Sequence, residues 1–396
     1  MKRLAVLIPK LSGGGMERIV SYLSLYAPND VDIYIILFKK TISYPVKHAI
    51  YHVGDYNNIF EGFNVYIKLN RLLRKIKPDA LLLFGVNQGL TMALLSFVRK
   101  KSISIHNYVF EPQRKRKYKI IYFKLLMSLL TRIFSNKILV VSHPIKHKLI
   151  KQYSVPRNKI EVIQNPVDVE TVYKLSKSEL NNNEYEEIFS NKVIMNIGRL
   201  VYQKGQWHLI RLFKKVNEVL PETRLIIRGQ GGLENYLRKL VSDLNLDRKV
   251  FFLGWKSNPF KYMSRSKLFC LPSLWEGFSN VILEALVCGL PVMSADCLAG
   301  PREILAPGTR YKADKLKEPE YGEYGILMPV MDGKMYTAKV PLTWQEEVWA
   351  DEIIKLLTHP KKLNEYKRKS LKRAFEFDVR KQIQKYFDVV LGSSQT

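Results

Sequence analysis

Acidic residues are in short supply in this chain. Its 396 residues include 36 Asp and Glu against 64 Lys and Arg, a net charge of +28 with His neutral. So large a deficit excludes a self-neutralised surface and calls for an anionic partner: nucleic acid, a membrane face or an anionic substrate. The deficit is uneven. Residues 1–165 hold 28 basic and 8 acidic residues, a net +20, while the remainder holds 36 and 28, a net +8. The first half is therefore expected to meet the partner. Cysteine is scarcer still, and Cys270, Cys288 and Cys297 have no metal-ligand spacing. An odd, sparse set excludes a disulfide framework and reads as reduced thiols in a cytosolic protein. No apolar run reaches the ~20 residues needed to cross a bilayer. The basic start, Met1-Lys2-Arg3, leads into an apolar run too short for a signal peptide, so it reads as a first buried strand.

What is present is enough for two ordinary domains. Hydrophobic residues make up 46%, which excludes a disordered chain. Short apolar runs alternate with longer amphipathic ones, in two series. The first has candidate strands at 4–8, 32–38, 80–85, 102–106, 138–142 and 161–163. The second has them at 193–197, 225–227, 250–253, 268–271 and 291–294. Strands separated by helical segments predict parallel sheets covered on both faces. The fold class is thus α/β, with two Rossmann-like doubly wound domains in tandem. Ligands of such domains bind at the carboxyl ends of the strands, here expected to line a cleft between the domains. Residues 165–191 read as a linker with one short helix, 306–343 as irregular, and 344–390 as mostly helical.

The most informative stretch is 273–286, Ser-Leu-Trp-Glu-Gly-Phe-Ser-Asn-Val-Ile-Leu-Glu-Ala-Leu. It sets Glu276 in a loop and Glu284 two turns deeper in a helix. Ser279 is placed to cap that helix through its hydroxyl. The amides of Gly277, Phe278 and Asn280 then point outward at the positive helix end, where a phosphate is favoured. Two carboxylates flanking an anion site suit a ligand with a central diphosphate and hydroxyl-rich ends. A second loop, Gly198-Arg199-Leu200 with Lys204-Gly205, supplies two cations, and Arg can grip phosphate oxygens bidentately. A third, Ser12-Gly13-Gly14-Gly15-Met16-Glu17-Arg18, follows the first strand and opens a helix. Its glycines permit a close backbone approach, although their spacing is not the dinucleotide fingerprint. His106, Asn87 and Ser142 stand at strand ends in the first half. A basic cluster, Arg114, Lys115, Arg116 and Lys117, leads into the apolar run 120–134, a pattern that fits either a membrane interface or a loop before a core helix. The glycine turn 228–232 follows another strand. Arg302, in Gly300-Pro301-Arg302-Glu303, has no role beyond contact with an anionic group.

The Glu276-x7-Glu284 pair, in its apolar frame, resembles the signature of the retaining glycosyltransferase family four, on the two-domain B-type glycosyltransferase fold. The glycine loop at Gly14 and Gly15 and the Arg199/Lys204 loop resemble that family too. The resemblance covers nearly the whole chain and implies a hexosyltransferase of lipid-linked glycan or polysaccharide biosynthesis. It implies an acceptor-side domain at 1–168, a donor-binding domain at 169–375 and a terminal helix at 376–396 crossing back to the first domain. It implies that a nucleotide-diphosphate sugar, with UDP as the expected carrier, gives up a hexose or N-acetylhexosamine to a lipid-linked or glycan acceptor. Glu276, His106, Arg199 and Lys204 are then the catalytic set. Gly14, Gly15, Gly254, Trp255, Gly277, Phe278, Ser279, Asn280 and Glu284 join Arg199, Lys204 and Glu276 around the donor, with Gly254 and Trp255 at the nucleobase and Glu284 on the ribose. Asn87 and Ser142 face the acceptor, and Arg114 to Lys117 the anionic membrane. No metal and no cofactor are expected, because no Asp-x-Asp metal motif is evident and Arg199 with Lys204 can neutralise the diphosphate. The implied location is cytoplasmic, peripheral on the inner face of the cell membrane. Two alternatives remain in the sequence: a nucleic-acid binder, for which no helix-turn-helix, RNP or zinc pattern is seen, and a sugar-nucleotide binder without catalysis.

Overall fold

The structure, a computed structural model, describes residues 1–55, 59–85, 96–106, 136–180, 183–309 and 316–392. Asn87, the cluster from Arg114 to Lys117 and the run 120–134 lie outside the described residues. The chain divides into two compact units, Met1–Pro166 with Val379–Thr396, and Val167–Asp378.

Among the described residues the first unit holds seven parallel strands: β1 (Lys2–Ile8), β2 (Val31–Leu37), β3 (Ala49–His52), β4 (Ala80–Phe84), β5 (Lys100–Ile105), β6 (Lys137–Val140) and β7 (Ile160–Val162). Their order is β3-β2-β1-β4-β5-β6-β7. Burial runs continuously along β1 from Leu4 and along all of β4 instead of alternating. That is the mark of a sheet covered on both faces. Part of the cover is the chain's last helix, Val379–Leu391, which packs on β4, β5 and the helix Gly15–Leu25. Val379, Ile383, Tyr386, Phe387, Val390 and Leu391 recur at helical spacing and join that core.

The second unit holds β8 (Lys192–Ile197), β9 (Thr223–Arg228), β10 (Val250–Gly254), β11 (Leu268–Leu271), β12 (Val292–Ala295), β13 (Glu320–Tyr321) and β14 (Ile326–Met328). Their order is β10-β9-β8-β11-β12-β14-β13, parallel except for β13. The core gathers Trp207 and Trp349, both fully buried, against these strands.

Three sequence expectations need correction. The four-residue β3 was not anticipated; it is a half-exposed edge strand with no apolar run to mark it. The region taken as irregular contributes β13 and β14. The presumed linker carries two helices, Val169–Ser176 and Asn183–Phe189, the first capped by Asp168, whose carboxylate accepts from the Thr171 amide at 3.0 Å. The expected strands otherwise stand within a few residues of the observed ones.

Candidate active site

Two loops of the second unit carry Arg199, Lys204 and Glu276. One leaves β8 and runs through 198–205 into the helix Gln206–Val219; the other leaves β11 and runs through 272–279 into the helix Asn280–Val287. β8 and β11 are neighbours and parallel, so both loops rise from the same carboxyl edge. The buried Asn196 joins the two strands, its Nδ2 donating to Cys270 O at 2.8 Å. Gln203 joins the two loops: its carbonyl accepts from Leu274 N at 2.8 Å and its Nε2 donates to Trp275 O at 2.8 Å. Gly205, at φ +61°, lies so close to the second loop that a Cβ there would stand 2.6 Å from Pro272 O.

This stitching brings Lys204 Nζ to 2.5 Å from Glu276 Oε1, with side chains only 14% and 8% exposed. Removed from water, such a pair is held more strongly than on a surface, and each partner depends on the other. Arg199 differs. Its side chain is exposed and makes no ion pair among the described residues. Glu284 is buried at 5% exposure, so it is no ordinary surface residue of its helix. Ser279 does occupy the N-cap position, but its hydroxyl makes no capping bond. The Ile282 amide that the hydroxyl would take is bound by the Ser279 carbonyl at 3.1 Å. The hydroxyl is left buried without a hydrogen-bond partner among the described residues.

Sequence reasoning missed the layer beneath these loops. Gly229 passes so close to Gly198 that a Cβ would meet its carbonyl oxygen at 1.9 Å. Leu200 N donates to Gln230 O, and Leu233 N to Leu200 O, both at 3.0 Å. The turn 228–232 is thus the shelf on which the Arg199 loop rests. Gly300, at φ +89°, plays the same part under the other loop, with a Cβ position 2.9 Å from the Phe278 Cα. Arg302 is no ligand contact: it is 1% exposed and bonded to Asp296 and Glu320, each at 2.6 Å. Trp255 is 66% exposed, with the Arg228 guanidinium 5.9 Å from its ring centroid. The three cysteines are free, and burial pushes all three thiols up, so none is a reactive thiolate.

In the first unit, Gly14 takes the N-cap of Gly15–Leu25 in an extended conformation, where a Cβ would stand 2.2 Å from Glu17 Oε2. His106 lies against the core. It is 8% exposed, its ring stacks on Phe84 at 5.3 Å, and its Nε2 pairs with Ser104 Oγ at 2.7 Å. Burial pushes its pKa down to about 4, against the opposing pull of the Asn165 side chain, so the ring is neutral near pH 7. Ser142 is fully buried, which leaves its hydroxyl no face to solvent. The sequence does hold one Asp-x-Asp triplet that its reading passed over, Asp30-Val31-Asp32; it stands at the amino end of β2, away from the carboxyl ends where such sheets bind ligands.

Residues 13–171 match the family described as Glycosyltransferase Family 4, and residues 178–315 the one described as Glycosyl transferases group 1. An uncharacterized glycosyltransferase of Methanocaldococcus jannaschii is 34% identical over 82% of this chain and 82% of its own. A Campylobacter jejuni enzyme is 28% identical over 77% of this chain and 83% of its own; its name makes it an N-acetylgalactosaminyltransferase acting on a diphospho-undecaprenol-linked sugar. Among solved structures, Anabaena HepE in complex with UDP and glucose superposes with a TM-score of 0.76 at 18% identity, covering 99% of this chain and 100% of that one. The chain belongs to glycosyltransferase family 4, and its fold is the B-type glycosyltransferase fold.

Proposed function

We propose that this glycosyltransferase moves a hexose or N-acetylhexosamine from a UDP-sugar, with retention at the anomeric carbon, to a lipid-linked or glycan acceptor at the cytosolic face of the membrane. The observation that carries the proposal is the Lys204–Glu276 pair on two stitched loops at one sheet edge, with Arg199 on the Lys204 loop and in no ion pair among the described residues. In this reading the donor diphosphate engages Arg199 and draws Lys204 toward it. Glu276, released from Lys204, turns to the hydroxyls of the donor sugar, and Glu284 binds the ribose hydroxyls. The bond from the anomeric carbon to the diphosphate oxygen breaks, and its electron pair stays on UDP. Arg199 and Lys204 neutralise that growing charge, while the acceptor hydroxyl forms the new bond on the same face and passes its proton to the departing diphosphate oxygen. Two fixed cations do what a divalent ion does elsewhere, so the reaction runs without metal. The carrier and the acceptor class follow the bound UDP of HepE and the lipid-linked substrate named for the Campylobacter enzyme. The charge of the first half suits peripheral membrane contact, and no helix among the described residues is long and apolar enough to cross a membrane.

The test is a panel of UDP-, GDP- and ADP-sugars incubated with the protein in excess EDTA. UDP-sugar hydrolysis with undiminished rate is the expected result. Hydrolysis of none sinks the transferase reading, and loss of activity with EDTA that Mg²⁺ or Mn²⁺ restores sinks the metal-free mechanism.

A further inference from the structure

The helix Pro360–Phe375 of the second unit carries seven Lys and Arg and one acidic residue, Glu365. Its buried side packs on Asn280–Val287 and on Trp344–Thr358. Glu365 is already held by Lys362 at 2.9 Å and Lys369 at 3.0 Å. Lys361, Lys367, Arg368 and Lys372 are exposed and have no ion pair among the described residues. Lys361, Arg368, Lys372 and Phe375 recur at i, i+7, i+11 and i+14, so they share one helix face. Phe375 is 56% exposed at the end of that face. The amino-terminal half of the helix walls a surface depression of 1130 Å³, which His359, Lys361, Lys367 and Arg368 help to line.

Stability does not account for this charge. Arg368 and Lys372 are like charges four apart, which weakens a helix. The one acidic residue is saturated and cannot neutralise the outer row. None of the residues assigned to the donor site lies on this helix.

We propose that the exposed face of Pro360–Phe375 is a membrane-docking surface of its own, seated on anionic lipid headgroups, separate from any contact made by the first unit. The inference rests on the reading of a lipid-linked acceptor. Lipid is favoured over nucleic acid by Phe375: one apolar group closing a cationic row suits the headgroup boundary, whereas single-stranded nucleic acid calls for several aromatics interleaved with the charge.

The experiment is co-sedimentation of the full chain with vesicles of phosphatidylcholine, alone or with phosphatidylglycerol, and with duplex DNA as a competitor. Each charge brought to an anionic surface strengthens partition about five-fold. The variant Lys361→Glu/Lys367→Glu/Arg368→Glu/Lys372→Glu should bind anionic vesicles about ten-fold or more weakly, with UDP-sugar hydrolysis and thermal melting unchanged. The matching Ala variant should show a smaller loss and guards against misfolding of the reversed one. Reversal of Arg114, Lys115, Arg116 and Lys117 in a separate variant should leave binding that remains sensitive to the helix reversal. Binding equal to the parent after helix reversal overturns the proposal. So does a loss confined to DNA retention, which would make the face a nucleic-acid surface. If the parent binds no vesicle yet hydrolyses UDP-sugar, the docking idea fails while the transferase reading stands.

Discussion

Lys204 and Arg199 share a loop, yet truncation should affect them differently. Lys204→Ala leaves the Glu276 carboxylate buried without its partner, a loss of about 3 kcal/mol. Arg199→Ala removes an exposed charge that pairs with nothing described, and should leave stability within about 0.5 kcal/mol. Urea unfolding separates the two. Turnover should fall in both, since in the proposed mechanism each cation gives the diphosphate a charge-assisted bond worth roughly 1.5–3 kcal/mol. Lys204→Met with Glu276→Gln should recover much of the stability and none of the turnover. An unchanged unfolding midpoint for Lys204→Ala would refute the pairing; full activity in both single variants would refute the phosphate assignment. His106 offers a pH test. Its folded pKa of about 4 lies below the ordinary 6.5 because of burial, so the unfolded chain takes up the proton first. This contribution to stability is complete above pH 6.5 and is lost as pH falls toward 4, by up to about 3 kcal/mol. Thermal melts of His106→Gln should show a flatter slope across that window, and parallel profiles for the two proteins would contradict it. The placing of Arg199, Lys204 and Glu276 in segments that follow strands, and of Glu284 in a helix, was legible in the sequence. Their partnership was not, since Lys204 and Glu276 lie 72 positions apart and only the packed loops join them.

Among the elements, the segment between β14 and the helix Trp344–Thr358 has little secondary structure, and Arg211 holds it. This side chain is 1% exposed. Its Nε donates to Glu346 Oε1 at 3.0 Å, its Nη1 to Thr337 O at 2.5 Å, and its Nη2 to Pro341 O at 2.8 Å. Glu346 also accepts from His208 Nδ1 at 2.7 Å and closes a capping box with Thr343. Burial alone would raise the Glu346 carboxyl, but the His208 and Arg211 bonds outweigh it and hold the pKa below the usual range. Arg211→Ala should therefore cost about 3–5 kcal/mol, as the removal of one partner from a buried ionic network does. The freed segment should become a new site of limited proteolysis between 332 and 343. A variant that melts like the parent and resists protease would show that the segment is held by its own packing. Nothing in the sequence marked Arg211, because a buried arginine on an amphipathic helix reads like any solvated one until its carbonyl acceptors are brought to it. The glycine shelf at Gly229 and the support from Gly300 were hidden for the same reason: each serves a loop distant in sequence.

For the whole molecule, both parallel sheets were readable because strands buried on two faces leave unbroken apolar runs. The edge strands β3 and β13 escaped, being short and half-exposed, and β14 escaped among glycines and prolines. The packing of Val379–Leu391 on β4 and β5 was beyond any local pattern, since periodicity shows that a helix has an apolar face but not which sheet covers it. The net charge, by contrast, needs no structure and acts on the molecule as one body. A field from +28 charges attracts anionic surfaces, and it is largely screened beyond about 8 Å at physiological ionic strength. Retention on vesicles containing phosphatidylglycerol should therefore be strong in dilute buffer and fall steeply as salt is added, whereas retention on neutral vesicles should be weak at every salt concentration. In the proposed mechanism donor hydrolysis depends on contacts inside the partly buried Lys204–Glu276 loops, where salt screens less, so it should decline much less over the same range. If vesicle retention is indifferent to salt, or equal on neutral and anionic lipid, the excess charge serves some partner other than a membrane.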